Sequence, residues 1–154
     1  MPETKLLVGC QTPRILFKPP SLSSAGQDAV DLAASAGLML DPWQQLALDV
    51  GLAEREDGKW SAFEVGLIVA RQNGKNSVLE ARELAGLFLF DEQLILHSAH
   101  EFKTAKEAFT RICRLIQNNP ALASRVKAYP RNPSEFGIDL HSGQRLRFIA
   151  RSST

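Results

Sequence analysis

The amino-acid sequence predicts an α/β fold with a parallel central sheet and a C-terminal β-hairpin. Three observations predict it. Short apolar runs alternate with longer segments of helical periodicity, in the order strand, helix, strand, helix. That order gives parallel strands connected by right-handed crossovers. The length of 154 residues suits one ordinary domain that buries a sizeable core.

The N-terminal part of the chain is expected to form a tail followed by two helices. Residues 1–26 contain several prolines and a small, polar stretch, which predicts an extended tail. A first helix is expected over Gln27–Ala36, ending at Gly37, because glycine commonly terminates helices. A second helix begins at Asp41 and Pro42, since aspartate is a good N-cap and proline suits the first helical position.

The central segment has the pattern strand, loop, helix. Val65–Val69 (VGLIV) is a short apolar run with β-branched residues, typical of a strand buried on both faces. Ala70–Asn76 (ARQNGKN) is a polar loop with one glycine. The following run, Ser77–Phe90, predicts a mostly buried helix. This segment therefore forms the first half of a βαβ unit.

A second strand and helix follow, and then a hairpin. Gln93–His97 predicts another buried strand, and Phe102–Ile116 carries an apolar stripe at helical spacing. A short helix is expected within Pro120–Arg125. Gly137–Leu140 and Arg145–Ala150 alternate in polarity around a glycine-containing turn, which predicts a β-hairpin. We assign residues 27–154 to one domain.

Composition and charge exclude several classes of protein. The formal net charge is +1, so no global field attracts nucleic acid. Cys10 and Cys113 lack the spacing of a zinc site, and we expect both to be reduced, with Cys113 on the apolar side of a helix. The sequence shows no signal peptide and no apolar run that would span a membrane, which predicts a cytoplasmic protein without membrane contact.

The loop before the buried helix has the chemistry of a phosphate site. The first N–H groups of a helix lack backbone acceptors, and the helix dipole favours negative charge there. Gly74 and Lys75 occupy the second glycine and the lysine of the GxxxxGK[ST] motif. Val69 stands where the first glycine belongs, and Asn76 where the Ser or Thr belongs. Asn76 offers a carbonyl oxygen for Mg²⁺, and Ser77 follows directly.

The segment Ala70–Asn76 resembles the deviant Walker A loop of the large terminase subunit of tailed phages. That family often lacks the first glycine and carries a basic residue early in the loop, where Arg71 stands. Other segments also resemble terminases of actinobacterial phages, namely Leu40–Gln44, Leu79–Phe90 and His97–Ala105. The resemblance covers roughly Leu40 to Ser152.

The resemblance implies a P-loop NTPase-like, three-layer α/β/α fold of the additional-strand (ASCE) type, present here incompletely. It implies the nucleotide-binding portion of a DNA-packaging motor that uses ATP and Mg²⁺ to move double-stranded DNA into a procapsid. The implied partners are dsDNA, the portal protein, the small terminase subunit and a missing C-terminal half, in a homo-oligomeric ring. The implied location is the host cytoplasm, at the portal vertex.

The resemblance also implies roles for individual residues. Lys75 and the backbone around Gly74 would hold the β- and γ-phosphates, and Arg71 would stabilise or sense the γ-phosphate. The catalytic residues implied are thus Lys75 and Arg71. Asn76 or Ser77 would face Mg²⁺. The remaining nucleotide-binding residues implied are Trp43 and Gln44 beside adenine, with Gln72 and Asn73 in the loop.

The motifs needed for turnover are missing from the sequence. No apolar strand ends in Asp-Glu after the hairpin, and no acidic cluster suggests a two-metal nuclease site. We therefore expect this chain alone to bind nucleotide weakly and not to hydrolyse ATP or cut DNA. Two alternatives stay open. One is a P-loop module of another NTPase, such as a kinase or helicase, and the other is a non-enzymatic assembly domain.

Overall fold

The computed structural model describes residues 6–133 and 135–151. Its helices are α1 (Gly26–Ser35), α2 (Pro42–Gly51), α3 (Lys75–Phe88), α4 (Phe102–Gln117) and α5 (Pro120–Ala123). Its strands are β1 (Ser23–Ser24), β2 (Ala53–Glu54), β3 (Leu94–Ala99), β4 (Val126–Ala128), β5 (Arg131–Asn132), β6 (Glu135–Leu140) and β7 (Arg145–Ala150). The predicted tail includes residues 1–5, and the resemblance extends to Ser152; these residues lie outside the described ranges.

The main sheet is mixed, which corrects the prediction of a parallel central sheet. Its order is β3-β7-β6-β4, and β5 pairs with β6. Only β3 and β7 run parallel among these pairs, while β6 is antiparallel to its neighbours β7, β4 and β5. The reason is the predicted hairpin itself. Its short turn with Gly143 at φ 103° reverses the chain, so β6 and β7 cannot be parallel.

The prediction of a buried strand at Val65–Val69 is wrong for the described structure. The segment has no strand pairing there, and the side chains of Val65, Leu67 and Ile68 are 57%, 38% and 102% exposed. A strand buried on both faces needs neighbours along its edges and layers above and below it. In the described part of the chain no strand pairs with this segment, and most of it is exposed at the surface.

The strand predicted at Gln93–His97 forms as β3, but only one of its faces is buried. Ile95, His97 and Ala99 face the helices, whereas Leu94 and Leu96 are 49% and 59% exposed. The apolar side chains on both faces of β3 would suit a strand that is covered on both sides. The described helices cover one face, so this part of the structure has the helical layers on one side of the sheet and not the three layers predicted.

Helix α3 lies at the centre of the packing. It contacts α1 and α2 on one side and α4, β3 and β7 on the other. Leu84, Leu87 and Phe88 join the core beneath the sheet, while Val78, Ala81 and Ala85 pack with α1 and α2. Burial on nearly every side agrees with the apolar sequence of this helix. It begins at Lys75, two residues before the predicted start.

The other helices follow their local sequence signals. Helix α1 ends one residue before the expected position, and Gly37 adopts φ 89° directly after the helix, a conformation that glycine tolerates without strain. Asp41 and Gln44 form a capping box at the start of α2, with Pro42 in the first turn. Helix α4 buries the predicted stripe except Phe102, which is 45% exposed.

The segment before α1 is mostly exposed and contacts β2 and the start of α2. Strand β1 pairs antiparallel with β2, and the Gln11 side chain accepts a hydrogen bond of 3.3 Å from the Trp43 N–H. Cys10 here is an exposed free thiol, and Cys113 in α4 is a buried one, where burial raises the thiol pKa to about 11. Within the described ranges, no helix has the length and apolarity to cross a membrane.

Candidate phosphate-binding site

The loop between residue 69 and α3 contains two residues with positive φ. Gln72 has φ 61° and Gly74 has φ 81°. A positive φ is unusual for a residue with a side chain, and such conformations cluster at sites that bind or react. Where left-handed and right-handed residues alternate, successive N–H groups turn towards one concave surface that suits anions. Two left-handed residues within one short loop are a feature that such sites share.

Lys75 is the first residue of α3 and is exposed to solvent. In residues 6–133 and 135–151, its ammonium group makes no ion pair or side-chain hydrogen bond. The N–H groups of Lys75 and Asn76 likewise meet no acceptor in these ranges. A cation and two unpaired donors therefore stand together at the positive end of the helix dipole.

The other predicted residues of the loop are also accessible. Arg71, Asn73 and Asn76 are exposed, and Ser77 is half-buried in the first turn of α3. The Ser77 N–H donates to the carbonyl of Gly74 at 3.2 Å, which closes the helix start. Oxygens of Asn76 and Ser77 are of the chemical type that binds Mg²⁺. The donor set therefore fits a phosphate group with its metal ion.

The two residues predicted to contact adenine have different positions. Gln44 is buried, and its side-chain amide reaches the loop: Nε2 donates to the carbonyl oxygen of Gly74 at 2.8 Å. Trp43 is half-buried and packs against the apolar cluster of α1, α2 and α3. The structure thus brings Gln44 directly to the loop, while Trp43 lies next to it on α2.

A charged cluster behind the loop was not found from the sequence. Glu80 and Glu83 of α3 are buried although both are acidic. Glu83 contacts the Nδ1 atom of His97 on β3, and Glu80 pairs with Arg111 of α4 at 2.7 Å. The other carboxylate oxygen of Glu83 is buried without a hydrogen bond in the described structure. The signal in the sequence that could have predicted this cluster is the pair of carboxylates, Glu80 and Glu83, three residues apart in a helix predicted to be mostly buried.

The surroundings change the proton affinities of this cluster. The hydrogen bond to Glu83 raises the pKa of His97, against the opposing effect of burial, and the charges of Glu83 and Glu80 add to the increase. Burial raises the pKa of Glu80, and the charge of Arg111 opposes that increase. Beside the buried carboxylate of Glu83, the protonated form of the His97 imidazole is thus favoured.

Two surface cavities lie away from the loop. One of about 180 Å³ is lined by residues 18–24 and α2, and one of about 280 Å³ is lined by residues of β3, β6 and β7. Neither is lined by residues of the phosphate loop. The loop lies open on the surface, so it can present N–H groups and charge but does not enclose a ligand.

Comparison with known proteins gives a fold and no sequence family. No protein-family model matches the chain, and no curated protein matches it either. The structure is similar to the crystal structure of the large terminase of bacteriophage HK97, with a TM-score of 0.60 and 19% sequence identity. The similarity covers 85% of this chain and 28% of that one. The chain therefore has a terminase-like fold over most of its length, and it spans 28% of the length of that terminase.

Proposed function

We propose that this chain is the nucleotide-binding portion of a tailed-phage terminase large subunit, the motor that couples ATP hydrolysis to packaging of double-stranded DNA. The single observation that carries the proposal is the loop before α3. It combines left-handed residues, unpaired N–H groups and the exposed ammonium of Lys75. The terminase-like fold around this loop supports the choice of a packaging motor over other nucleotide-binding proteins.

In the proposed complex, Lys75 and the loop backbone bind the β- and γ-phosphates. Arg71 lies next to the γ-phosphate, where its charge stabilises the negative charge that develops during transfer. Mg²⁺ would be held by Asn76 or Ser77, and it would neutralise the phosphate oxygens. Trp43 offers an aromatic face to adenine. A Walker B carboxylate and a catalytic glutamate would come from parts of the motor outside this chain.

Thermal unfolding in the presence of ATP and MgCl₂ tests nucleotide binding. At an ATP concentration ten times the Kd, we expect stabilisation of about 1.4 kcal/mol and a Tm increase of roughly 3–6 °C. Lys75→Ala removes the cation that meets the phosphates and should abolish most of this increase. Lys106→Ala is the matched control, because Lys106 is also exposed but lies on α4. An equal ATP effect on both variants contradicts the role of Lys75.

If ATP fails to stabilise the unaltered protein, nucleotide binding is wrong and a non-enzymatic assembly domain becomes the better explanation. Phosphate release from ATP is the second measurement. We expect none from this chain alone, since it lacks the carboxylates that would hold Mg²⁺ and orient water. Sustained, Mg²⁺-dependent release from purified protein would show that the site is complete.

The assignment to a packaging motor, in place of a kinase or helicase, needs a separate test. The partners proposed are dsDNA, the portal protein, the small terminase subunit and the remaining part of the motor. We expect coding sequence downstream of residue 154, or in a neighbouring gene, to contain an apolar strand ending in Asp-Glu and then an acidic nuclease cluster. Helicase motifs or a kinase lid at that place would favour another NTPase.

A further inference from the structure

The side-chain amide of Gln44 is buried between the start of α2 and the phosphate loop, with 5% of the residue exposed. Its Oε1 accepts a hydrogen bond of 2.7 Å from the Asp41 N–H, which belongs to the capping box of α2. Its Nε2 donates to the Gly74 carbonyl at 2.8 Å, across 30 residues of sequence. The two ends of the amide thus connect two elements that are far apart in the chain.

The absence of a side chain at Gly74 leaves room for this contact. A Cβ atom at this position would lie 2.9 Å from Nε2 of Gln44, so a side chain would displace the amide. The φ of 81° also favours glycine. The Gly74 carbonyl accepts a second hydrogen bond, from the Ser77 N–H at 3.2 Å. Two donors therefore fix the direction of this carbonyl.

The direction of the Gly74 carbonyl determines the direction of the next N–H. The peptide unit is planar and trans, so its C=O and N–H point to opposite sides. The structure contains no cis peptide bond among the described residues. Since the carbonyl points to Gln44 on α2, the N–H of Lys75 in the same peptide points away from α2. That N–H is one of the two unpaired donors at the start of α3.

We propose that Gln44 is a positioning residue for the phosphate loop: it holds the Gly74–Lys75 peptide so that the Lys75 N–H faces the phosphates. This rests on the proposed function and deepens it. Arg71, Gln72 and Asn73 lie exposed, whereas Gln44 is buried, so the amide is a rigid point of attachment for an otherwise open loop. The role concerns the triphosphate and not the base.

The burial of the amide supports this assignment. Oε1 accepts from Asp41 and one Nε2 hydrogen is directed to Gly74, which leaves one hydrogen and one lone pair. Because only 5% of Gln44 is exposed, an adenine edge would have to displace the surrounding residues to reach these two positions. A positioning role leaves both hydrogen bonds intact, and it predicts equal importance for any ligand that carries the triphosphate.

Gln44→Glu is the test variant, and Gln45→Glu is its matched control. The glutamate keeps an acceptor for Asp41 but has no N–H for the Gly74 carbonyl. Gln45 is the next residue of the same helix, and its Nε2 donates to the Leu40 carbonyl at 3.0 Å, away from the loop. Gln44→Met, which has similar length and no charge, repeats the test if a buried carboxylate prevents folding.

The first measurement is hydrogen exchange of the protein without nucleotide. We expect the Ser77 amide, whose N–H donates to the Gly74 carbonyl, to exchange about threefold to tenfold faster in Gln44→Glu, the effect of one net hydrogen bond, and to be unchanged in Gln45→Glu. Unchanged exchange in Gln44→Glu overturns the proposal. This measurement needs no ligand, so it decides the role of Gln44 even if the proposed function fails.

The second measurement compares the affinities of ATP and inorganic tripolyphosphate, both with MgCl₂. A positioning role predicts that both affinities fall by the same factor in Gln44→Glu, about threefold to tenfold, and that neither falls in the control. A loss for ATP with tripolyphosphate unaffected overturns the proposal and assigns Gln44 to the base. If the unaltered protein binds neither ligand, the proposed function is wrong, and hydrogen exchange alone tests Gln44.

Discussion

Both faces of the main sheet carry large apolar side chains, and the environments of these side chains differ. The inner face, towards α3 and α4, carries Ile138, Leu146 and Phe148, which are at most 3% exposed. The outer face carries Leu94 and Leu96 of β3 and Ile149 of β7, which are 43–59% exposed. Both faces alternate along the same strands, because neighbouring side chains of a strand point in opposite directions. On β3, residue type alone therefore does not reveal which face is covered.

The polar residues differ between the faces as well. On the outer face, Arg147 bridges Glu135 at 2.6 Å and Asp139 at 2.7 Å. On the inner face, the imidazole of His97 lies 5.0 Å from the ring of Phe148 and contacts Glu83. The acidic partners of Arg147 are 45% and 26% exposed, so solvent weakens these two ion pairs, whereas Glu83 is only 8% exposed. The burial of the partner therefore sets how strongly each of these charges acts.

The largest effect is expected from truncation on the inner face. Leu146 is fully buried, in contact with the core of α3, α4 and the sheet. Leu146→Ala should reduce the free energy of unfolding by about 2–5 kcal/mol, because it removes buried methyl groups and leaves a cavity. Urea denaturation measures the change. A loss below roughly 1 kcal/mol would mean that this face is not closely packed.

An intermediate effect is expected from the pH dependence of stability. His97 has a raised pKa, so folding favours its protonated form. The resulting stabilisation is fully present below the ordinary pKa of 6.5 and is lost as pH rises through the raised value. The free energy of unfolding should therefore decrease from pH 6 towards 8.5, and His97→Asn should remove that part of the slope.

Two further groups with shifted pKa values, Glu80 and Cys113, bear on this measurement. Glu80 changes stability with the same sign, but from its ordinary pKa of 4.5 upward, so the difference between variants isolates His97. The pKa of the Cys113 thiol is raised to about 11, so its ionisation in the folded protein lies above the pH range of the measurement, which ends at 8.5. An identical slope in His97→Asn would show that the Glu83 contact is not proton-dependent.

The smallest effect is expected on the outer face. Leu96 has the same side chain as Leu146 but is 59% exposed. Leu96→Ala should change the free energy of unfolding by less than about 0.5 kcal/mol, since little apolar surface leaves water there on folding. The same urea titration compares the two leucines directly. A loss close to that of Leu146→Ala would show that the outer face is covered in solution.

The sequence predicted elements whose signals are local. The start of α2 at Asp41 and Pro42, the amphipathic helix α4 and the hairpin of β6 and β7 all depend on residues near one another in the chain. It failed at Val65–Val69, where the pattern of a buried strand assumes neighbours that the described chain does not place there. A hydrophobic pattern indicates the environment in which a segment would be stable, but it does not show which elements surround the segment in the fold.

For the candidate site, the sequence by itself determined the chemistry of the loop: the glycine, the lysine and their place before a helix. Only the tertiary structure decided that the Gln44 amide reaches the Gly74 carbonyl, and that Glu83 meets His97 inside the fold. The physical reason is distance along the chain. Contacts between α2, α3 and β3 depend on how whole elements pack, and no spacing within a short segment encodes that arrangement.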